Sequence, residues 1–346
     1  MEAVMARGVA RLLAAAGAAV LSILAPAAGA GTLDVVRQRD ALICGIHGAR
    51  AGFSILDSRG EWTGLDVDTC RAVAAAVLGD PNKTRYVRTT AQTRFPVLQT
   101  GEVDLLVNAV TVTLLRDTAM GFNFGPVTFY DAQGFMVPRA LNAQTVRDLD
   151  GATVCVAPGS TSERVVADVF ARHNMRYTPV VIDKPQELSQ AFFSGRCDVN
   201  VQTTSGLASQ RATFAQNPAD FVLLREVYGK DPMAPAVRHG DDQWRDIVTW
   251  VVNAMIEAEE SGLTSANVEQ ALRSEDPAVR RMLGVTPGFG RALGLDERWA
   301  YRVIRQVGNY GEVYDRAFGE RSALRLPRGI NDLWTRGGLI YAPPFN

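Results

Sequence analysis

The stretch Gly101-Glu-Val-Asp-Leu-Leu-Val107 decides the fold, because Gly195-Arg-Cys-Asp-Val-Asn-Val201 restates it farther along the chain. In each, a glycine turn and an acidic residue lead into a strand. Residues 103–107 are almost wholly apolar, as a strand covered on both faces should be. Outward from the first phrase, residues 93–99 read as a short helix ended by Gly101, and 85–87 begin a strand. Residues 66–78 read as a helix, with Val67, Ala74, Val77 and Leu78 at helical spacing and Asp66 or Asp68 as its cap. Residues 41–46 form a further strand, followed by a glycine-punctuated loop at 45–52. Outward from the second phrase, 185–194 and 162–174 read as helices, and 177–182 and 151–157 as strands. Val165, Val166, Val169 and Phe170 share one face of the helix at 162–174. The order β-α-β-α-β thus occurs twice, which implies two parallel α/β lobes with a cleft between them.

The length of 346 residues suits two domains, and 47% hydrophobic residues suffice for sizeable cores. A net charge of −1 argues against nucleic acid or an anionic membrane surface as the main partner. Residues 1–30 have the form of a signal peptide. Arg7 and Arg11 supply the basic start, 12–24 are apolar, and Ala28-Gly29-Ala30 offers small residues for cleavage before Gly31. That apolar run is shorter than the ~20 residues a spanning helix needs, and no second run follows.

Export makes Cys44, Cys70, Cys155 and Cys197 candidates for disulfides. No pair has CxxC spacing, which argues against a zinc site. Three connectivities are open, with buried free thiols as the alternative. Cys44–Cys70 with Cys155–Cys197 is favoured, because each pair then closes a loop within one lobe.

Residues 242–260 form an amphipathic helix whose stripe is Trp244, Ile247, Val248, Val251, Met255 and Ala258. Its polar face is acid-rich, so it faces a core rather than a membrane surface. After Gly284 the chain turns aromatic, with Trp299, Tyr301, Tyr310, Tyr314, Trp334 and Tyr341. This tail is expected to wrap the first lobe.

Val110-Thr111-Val112-Thr113-Leu114-Leu115-Arg116-Asp117 follows an apolar strand and so lies at the carboxyl end of a parallel sheet, where ligands bind. Arg116 can grip a carboxylate bidentately, and threonine hydroxyls can assist. In the second lobe, Gly159-Ser160-Thr161-Ser162 opens a helix, whose N–H groups and dipole favour an anion. Simple helix capping is the plainer account of those hydroxyls, and the two uses can coexist.

The chain resembles the polar or general L-amino-acid-binding proteins that feed ABC importers. The resemblance runs from about Thr32 to the end. It is carried by Ala51-Gly-Phe-Ser54, Trp62-Thr-Gly-Leu-Asp-Val-Asp68, Gly134-Phe-Met-Val137 and Gly240-Asp-Asp-Gln-Trp244. The tail adds Trp299-Ala-Tyr-Arg302, Val307-Gly-Asn-Tyr-Gly-Glu312 and Gly337-Gly-Leu-Ile-Tyr-Ala-Pro-Pro344. All four cysteines sit where that family places cysteines. The resemblance implies a two-lobed periplasmic binding protein of type II, with parallel or mixed sheets and two crossover strands, near 134–138 and 234–238. The division expected is 31–136 and 236–285 for the first lobe, 137–235 for the second, and 286–346 for an extension packed on the first. It further implies a periplasmic monomer that passes a small carboxylate ligand to a membrane permease, with no cofactor or metal and no catalysis.

Residue by residue, the family's arginine for the ligand α-carboxylate falls on Arg116, with Thr111 assisting; Thr113 is a further candidate from the same stretch. Its Gly-Thr-Thr turn falls on Gly159-Ser160-Thr161. Its aspartate for the α-ammonium falls on Thr203, a departure. The usual Arg-Asn-Thr-Thr-Trp reads Asn108-Ala-Val-Thr-Val112, and a normally apolar position reads Arg50, with His47 close by. A buried ammonium without a carboxylate costs several kcal/mol. Arg50, Arg94 and Arg116 therefore suggest a more anionic ligand, an acidic amino acid or a carboxylate lacking the ammonium. The alternative turns Arg50 to solvent and leaves Thr203 and main-chain carbonyls to hold an ammonium.

Two other classes remain open. A dehydratase-like enzyme would use Glu163 or His47, but the three histidines (His47, His173 and His239) and the absence of GxSxG give it little support. A ligand-binding sensor would need only the altered pocket. No GxxxxGK[ST] loop is present, so the chain is not an ATPase subunit.

Overall fold

The computed structural model describes residues 31–346, and the signal-peptide reading of 1–30 lies outside them. Helix α1 (Thr32–Arg39) leads to β1 (Leu42–Ile46), a small hairpin of β2 (Ile55–Leu56) and β3 (Trp62–Thr63), α2 (Leu65–Leu78), β4 (Thr84–Arg88), α3 (Arg94–Gln99), β5 (Leu105–Leu106), α4 (Leu114–Thr118) and β6 (Phe122–Phe124). The second group is β7 (Phe129–Pro138), β8 (Thr153–Val156), α5 (Thr161–Arg172), β9 (Thr178–Val181), α6 (Pro185–Phe193), β10 (Val199–Thr203), α7 (Thr204–Phe214), β11 (Phe221–Leu223) and β12 (Tyr228–Met233). The chain returns through β13 (Ala236–Arg238) and the long α8 (Asp242–Glu260). It ends in α9 (Val268–Ala271), α10 (Pro277–Met282), α11 (Phe289–Leu293), α12 (Trp299–Gln306) and α13 (Tyr310–Ala317).

Two mixed sheets result. The first runs β4-β1-β5-β13-β6, with β1 parallel to β4 and β5 and β13 antiparallel to its neighbours. The second runs β11-β7-β10-β8-β9, with β12 also on β7; its β8, β9 and β10 are parallel and β7 is antiparallel. Helices flank both, so the architecture is a two-lobed α/β fold.

The first crossover lies earlier than the sequence suggests. The chain leaves the first sheet after Phe124 and joins the second at Phe129. Phe135, Met136 and Val137 are the buried centre of β7, paired with β10 on one side and β11 on the other. Their apolar run reflects that two-sided burial, so a lobe boundary at 136/137 would cut a strand. The return falls between Met233 of β12 and Ala236 of β13.

Helix α2 differs from its expected start as well. Its N-cap is Gly64, at φ 124°, and no side chain caps it. A Cβ there would lie 2.2 Å from the carbonyl oxygen of Phe53, so only glycine permits this close approach. Asp66 and Asp68 are instead buried and used elsewhere. Nearly every α2 residue is buried, including Ala72, Ala74, Ala75 and Ala76. The helix is buried all round because it packs on the first sheet and on α8 and α12.

The α8 stripe is buried throughout, and the Trp244 indole N–H donates to the Asp104 carbonyl at 2.9 Å. The tail joins the same core: Trp299, Tyr310, Tyr314 and Phe318 pack with Leu42, Phe53 and Phe129. Tyr310 donates to the Thr128 carbonyl at 2.8 Å, and Asn331 bonds both the N–H (2.6 Å) and the carbonyl (3.0 Å) of Tyr130. The extension thus grips the chain where it passes between lobes. Trp334 and Tyr341, by contrast, are about half exposed.

Disulfides join Cys44 to Cys70 and Cys155 to Cys197, closing loops of 26 and 42 residues, one in each sheet-and-helix unit. Each would add about 3–4 kcal/mol in the chain-entropy account.

Candidate ligand-binding cleft

Both lobes present strand ends to one cleft. From the first come the turn after β1 (His47, Arg50), the approach to α3 (Ala91, Arg94) and the loop after β5 (Asn108, Ala109, Thr111). From the second come the β8–α5 turn (Ala157, Ser160, Thr161, Ser162), the β9–α6 turn (Asp183, Pro185), the end of β10 (Gln202, Thr203) and Gln210 of α7. They enclose an inner cavity of about 80 Å³. An outer chamber of about 900 Å³ shares Ala91, Thr111, Ser160 and Thr161 with it, and is lined further by Phe95, Thr113, Leu114, Arg116, Arg164 and Lys230.

The sequence candidates therefore separate. His47, Arg50, Arg94, Asn108, Thr111, Ser160, Thr161 and Thr203 meet at the inner cavity. Thr113 and Arg116 line the outer chamber. Arg116 is nevertheless buried. Its Nη1 donates to the Thr111 carbonyl at 2.9 Å and its Nη2 reaches the Gly159 carbonyl of the other lobe at 3.5 Å. Its guanidinium lies 5.1 Å from the Phe95 ring centre. Burial pulls its pKa down to about 10, with Asp231 opposing.

Arg50 is turned inward, not to solvent. Its guanidinium donates to the Gln202 side-chain oxygen across the cleft and sits 5.4 Å from the Phe53 ring centre. Arg94 is buried against Phe95 at 5.0 Å. Burial, then the charges of Arg116 and Arg50, holds its pKa well below the ordinary guanidinium value. Burial, then Arg50, Arg94 and Arg88, holds His47 well below the usual imidazole range, so it is neutral at neutral pH.

The hydroxyls do structural work. Ser160 caps α5, accepting the Glu163 N–H at 3.2 Å, and donates to the Ala157 carbonyl at 2.6 Å. Thr113 caps α4 and Thr203 caps α7. Glu163, the candidate acid, accepts the Gly159 N–H at 2.7 Å. Asn108 donates to Thr89 at 2.7 Å.

Three carboxylates missed by sequence reading stand behind the arginines. Asp231 accepts from Thr111, Thr161 and Gln133, tying the two lobes together. Asp131 accepts from Thr204 and Ser205. Asp66 accepts the Ala109 N–H at 3.0 Å, fixing that residue at φ 44°, a left-handed backbone that alanine rarely adopts. Burial lifts Asp66 to about 7, against the pull of Arg50. Asp66 stands in the quoted Trp62–Asp68 motif, but only the folded chain shows that it faces the β5 loop. Asp131 and Asp231 thus offset the arginines from behind, and the excess positive charge expected from the sequence is smaller.

Three cavity residues keep a buried polar atom without a hydrogen-bond partner among the described residues: His47 Nδ1, Arg94 Nε and Asp183 Oδ1. Buried polar atoms are nearly always satisfied. Three around one small cavity make it the candidate place for a polar ligand. Among the described residues, no helix is long and apolar enough to cross a membrane, and no cluster of His, Cys, Asp and Glu suits a metal ion.

Residues 42–264 match the family model of bacterial extracellular solute-binding proteins, family 3. The chain is 48% identical over 96% of its length, and 98% of the relative's, to the general L-amino acid-binding periplasmic protein AapJ of Rhizobium johnstonii. It is 48% identical over 94% of its length, and 97% of the relative's, to the glutamate/glutamine/aspartate/asparagine-binding protein BztA of Rhodobacter capsulatus. A Brucella ovis ABC transporter/periplasmic binding protein, solved with glutathione bound, superposes with a TM-score of 0.88 at 42% identity, covering 91% of this chain and 99% of that one. Repeated α/β lobes, a polar cleft between them and these likenesses place the chain in the bacterial extracellular solute-binding proteins, family 3.

Proposed function

We propose that the protein is the periplasmic substrate-binding component of an amino-acid ABC importer, binding an α-amino acid that carries a second acidic group and delivering it to a membrane permease. One observation carries the ligand class: Arg50, Arg94 and Arg116 converge on the cleft, and Arg94 keeps a buried N–H without a partner. A carboxylate supplies that partner and relieves the mutual repulsion of Arg94 and Arg116. Arg116 takes the α-carboxylate from the outer chamber, beside the shared Thr111, and Arg94 and Arg50 take the distal acid in the inner cavity. Relatives named for general L-amino acids and for glutamate, glutamine, aspartate and asparagine support an amino acid as the ligand, and the arginines select the acidic ones among these. Binding needs no bond chemistry. Closure of the lobes on ligand supplies the difference in shape that a permease reads.

The outer chamber favours a second reading. A ligand longer than one residue, with an amino-acid head inside and a peptide continuation outside, fits the shared wall, and a relative solved with glutathione bound supports it. Calorimetry of residues 31–346 with glutamate, aspartate, leucine, glutarate and glutathione tests both. Glutamate or aspartate is expected to bind most tightly. Tight binding of leucine with none of the acids would overturn the acidic class, and glutathione alone would select the longer ligand.

A further inference from the structure

Position 203, where the resemblance puts an aspartate for the ligand ammonium, is a threonine capping α7. The cleft must supply negative charge elsewhere; Glu163 and Asp168 line only the outer chamber, and the remaining carboxylates can be sorted by what already holds them. Asp231 is taken by Thr111, Thr161 and Gln133. Asp131 is taken by Thr204, by the N–H and hydroxyl of Ser205, and by the Ala132 N–H. Asp66 is taken by the Ala109 N–H and does not line the cavity. Asp183 is different. It stands in the turn between β9 and α6, at the carboxyl end of a parallel strand, and lines the inner cavity. Its Oδ1 is buried without a partner, while on the first-lobe side Arg94 Nε and His47 Nδ1 are likewise unsatisfied.

We infer that Asp183 receives the ligand's ammonium group, replacing the carboxylate that Thr203 does not provide. The two walls then complement an amphoteric ligand: cationic side chains of the first lobe meet its acids, and Asp183 of the second meets its amine. This makes Asp183 a specificity residue that separates α-amino acids from di-acids of the same length. It also gives closure a direction, because an ammonium held at Asp183 and carboxylates held by the arginines draw the lobes together.

The inference rests on the acidic-amino-acid reading, and the test keeps the two apart. Glutamate and glutarate, which differ by the amine alone, are titrated into the wild type and into Asp183→Asn, with thermal unfolding confirming that both fold. The wild type is expected to prefer glutamate at least tenfold. The variant is expected to lose at least tenfold in glutamate affinity and to keep its glutarate affinity. Equal wild-type binding of the two ligands, which needs no variant, overturns the role of Asp183. So does an unchanged glutamate affinity in the variant. Binding of neither ligand by the wild type overturns the parent reading and this one with it.

Discussion

Arg328 and the cleft arginines are buried cations in opposite circumstances. Arg328 lies over Tyr310 and Tyr314 (5.1 and 4.7 Å to the ring centres) and donates to Glu259 at 3.2 and 3.3 Å and to the Asn331 carbonyl at 2.9 Å. Arg94 and Arg116 also lie over a ring, that of Phe95, yet neither forms an ion pair with a carboxylate among the described residues. A guanidinium whose donors are satisfied internally stabilises the fold. Arg94, left with a buried, unsatisfied Nε–H, weakens the empty protein and becomes favourable only when something binds, whereas Arg116 reaches main-chain carbonyls and no carboxylate. The molecule thus separates its scaffold, at the tail, from the recognition surface proposed for it, in the cleft.

Substitution at each place should give opposite readouts. Arg116→Ala should cost about a thousandfold in ligand affinity, about 4 kcal/mol, with the unfolding temperature of the empty protein nearly unchanged; calorimetry and thermal unfolding measure the two. Retention of full affinity would remove Arg116 from the site. Arg328→Ala should do the reverse, costing about 3 kcal/mol in urea unfolding because Glu259 is left without that partner, while ligand affinity per folded molecule stays within about threefold. A large loss of affinity without loss of stability would break the contrast.

The smallest expected effect comes from the acid side. Glu259 touches two arginines, Arg328 and Arg336, whereas Asp66 touches a backbone N–H. Asp66 is lifted to about 7 from an unfolded value near 3.9. Between those values the folded state binds the extra proton, so stability falls as pH rises from about 4 to about 7. His47, held low, pushes the other way below about 6.5 but is common to wild type and variant. Asp66→Asn should therefore lose about 2 kcal/mol less than wild type when urea unfolding is compared at about pH 5 and pH 7. Identical slopes would mean that Asp66 is charged in the fold.

Much of this was legible in the chain itself. The repeated phrases at Gly101 and Gly195 announce two lobes because glycine turns and apolar strands are local signals. The α8 stripe is legible for the same reason: its period of burial is a property of one helix. The crossover was not, because a buried strand paired on both sides and a hinge strand can carry the same apolar residues, and only pairing tells Phe135 from Phe129. Within the cleft, residue types at strand ends pointed to Arg116, Thr111, Ser160 and Thr161. Asp183 gave no signal, since an aspartate before a helix-starting Lys-Pro reads as an ordinary turn.

Sequence alone determined the twice-repeated β-α-β-α-β order, the cysteine pairs available and the surplus of arginine near a strand end, all of which follow from short-range chemistry. Tertiary structure decided which carboxylates are spent on neighbours and which is left over. That distinction depends on groups far apart in the chain, such as Thr111 and Asp231, competing for the same hydrogen bonds. Such a competition can be resolved only once the two lobes meet.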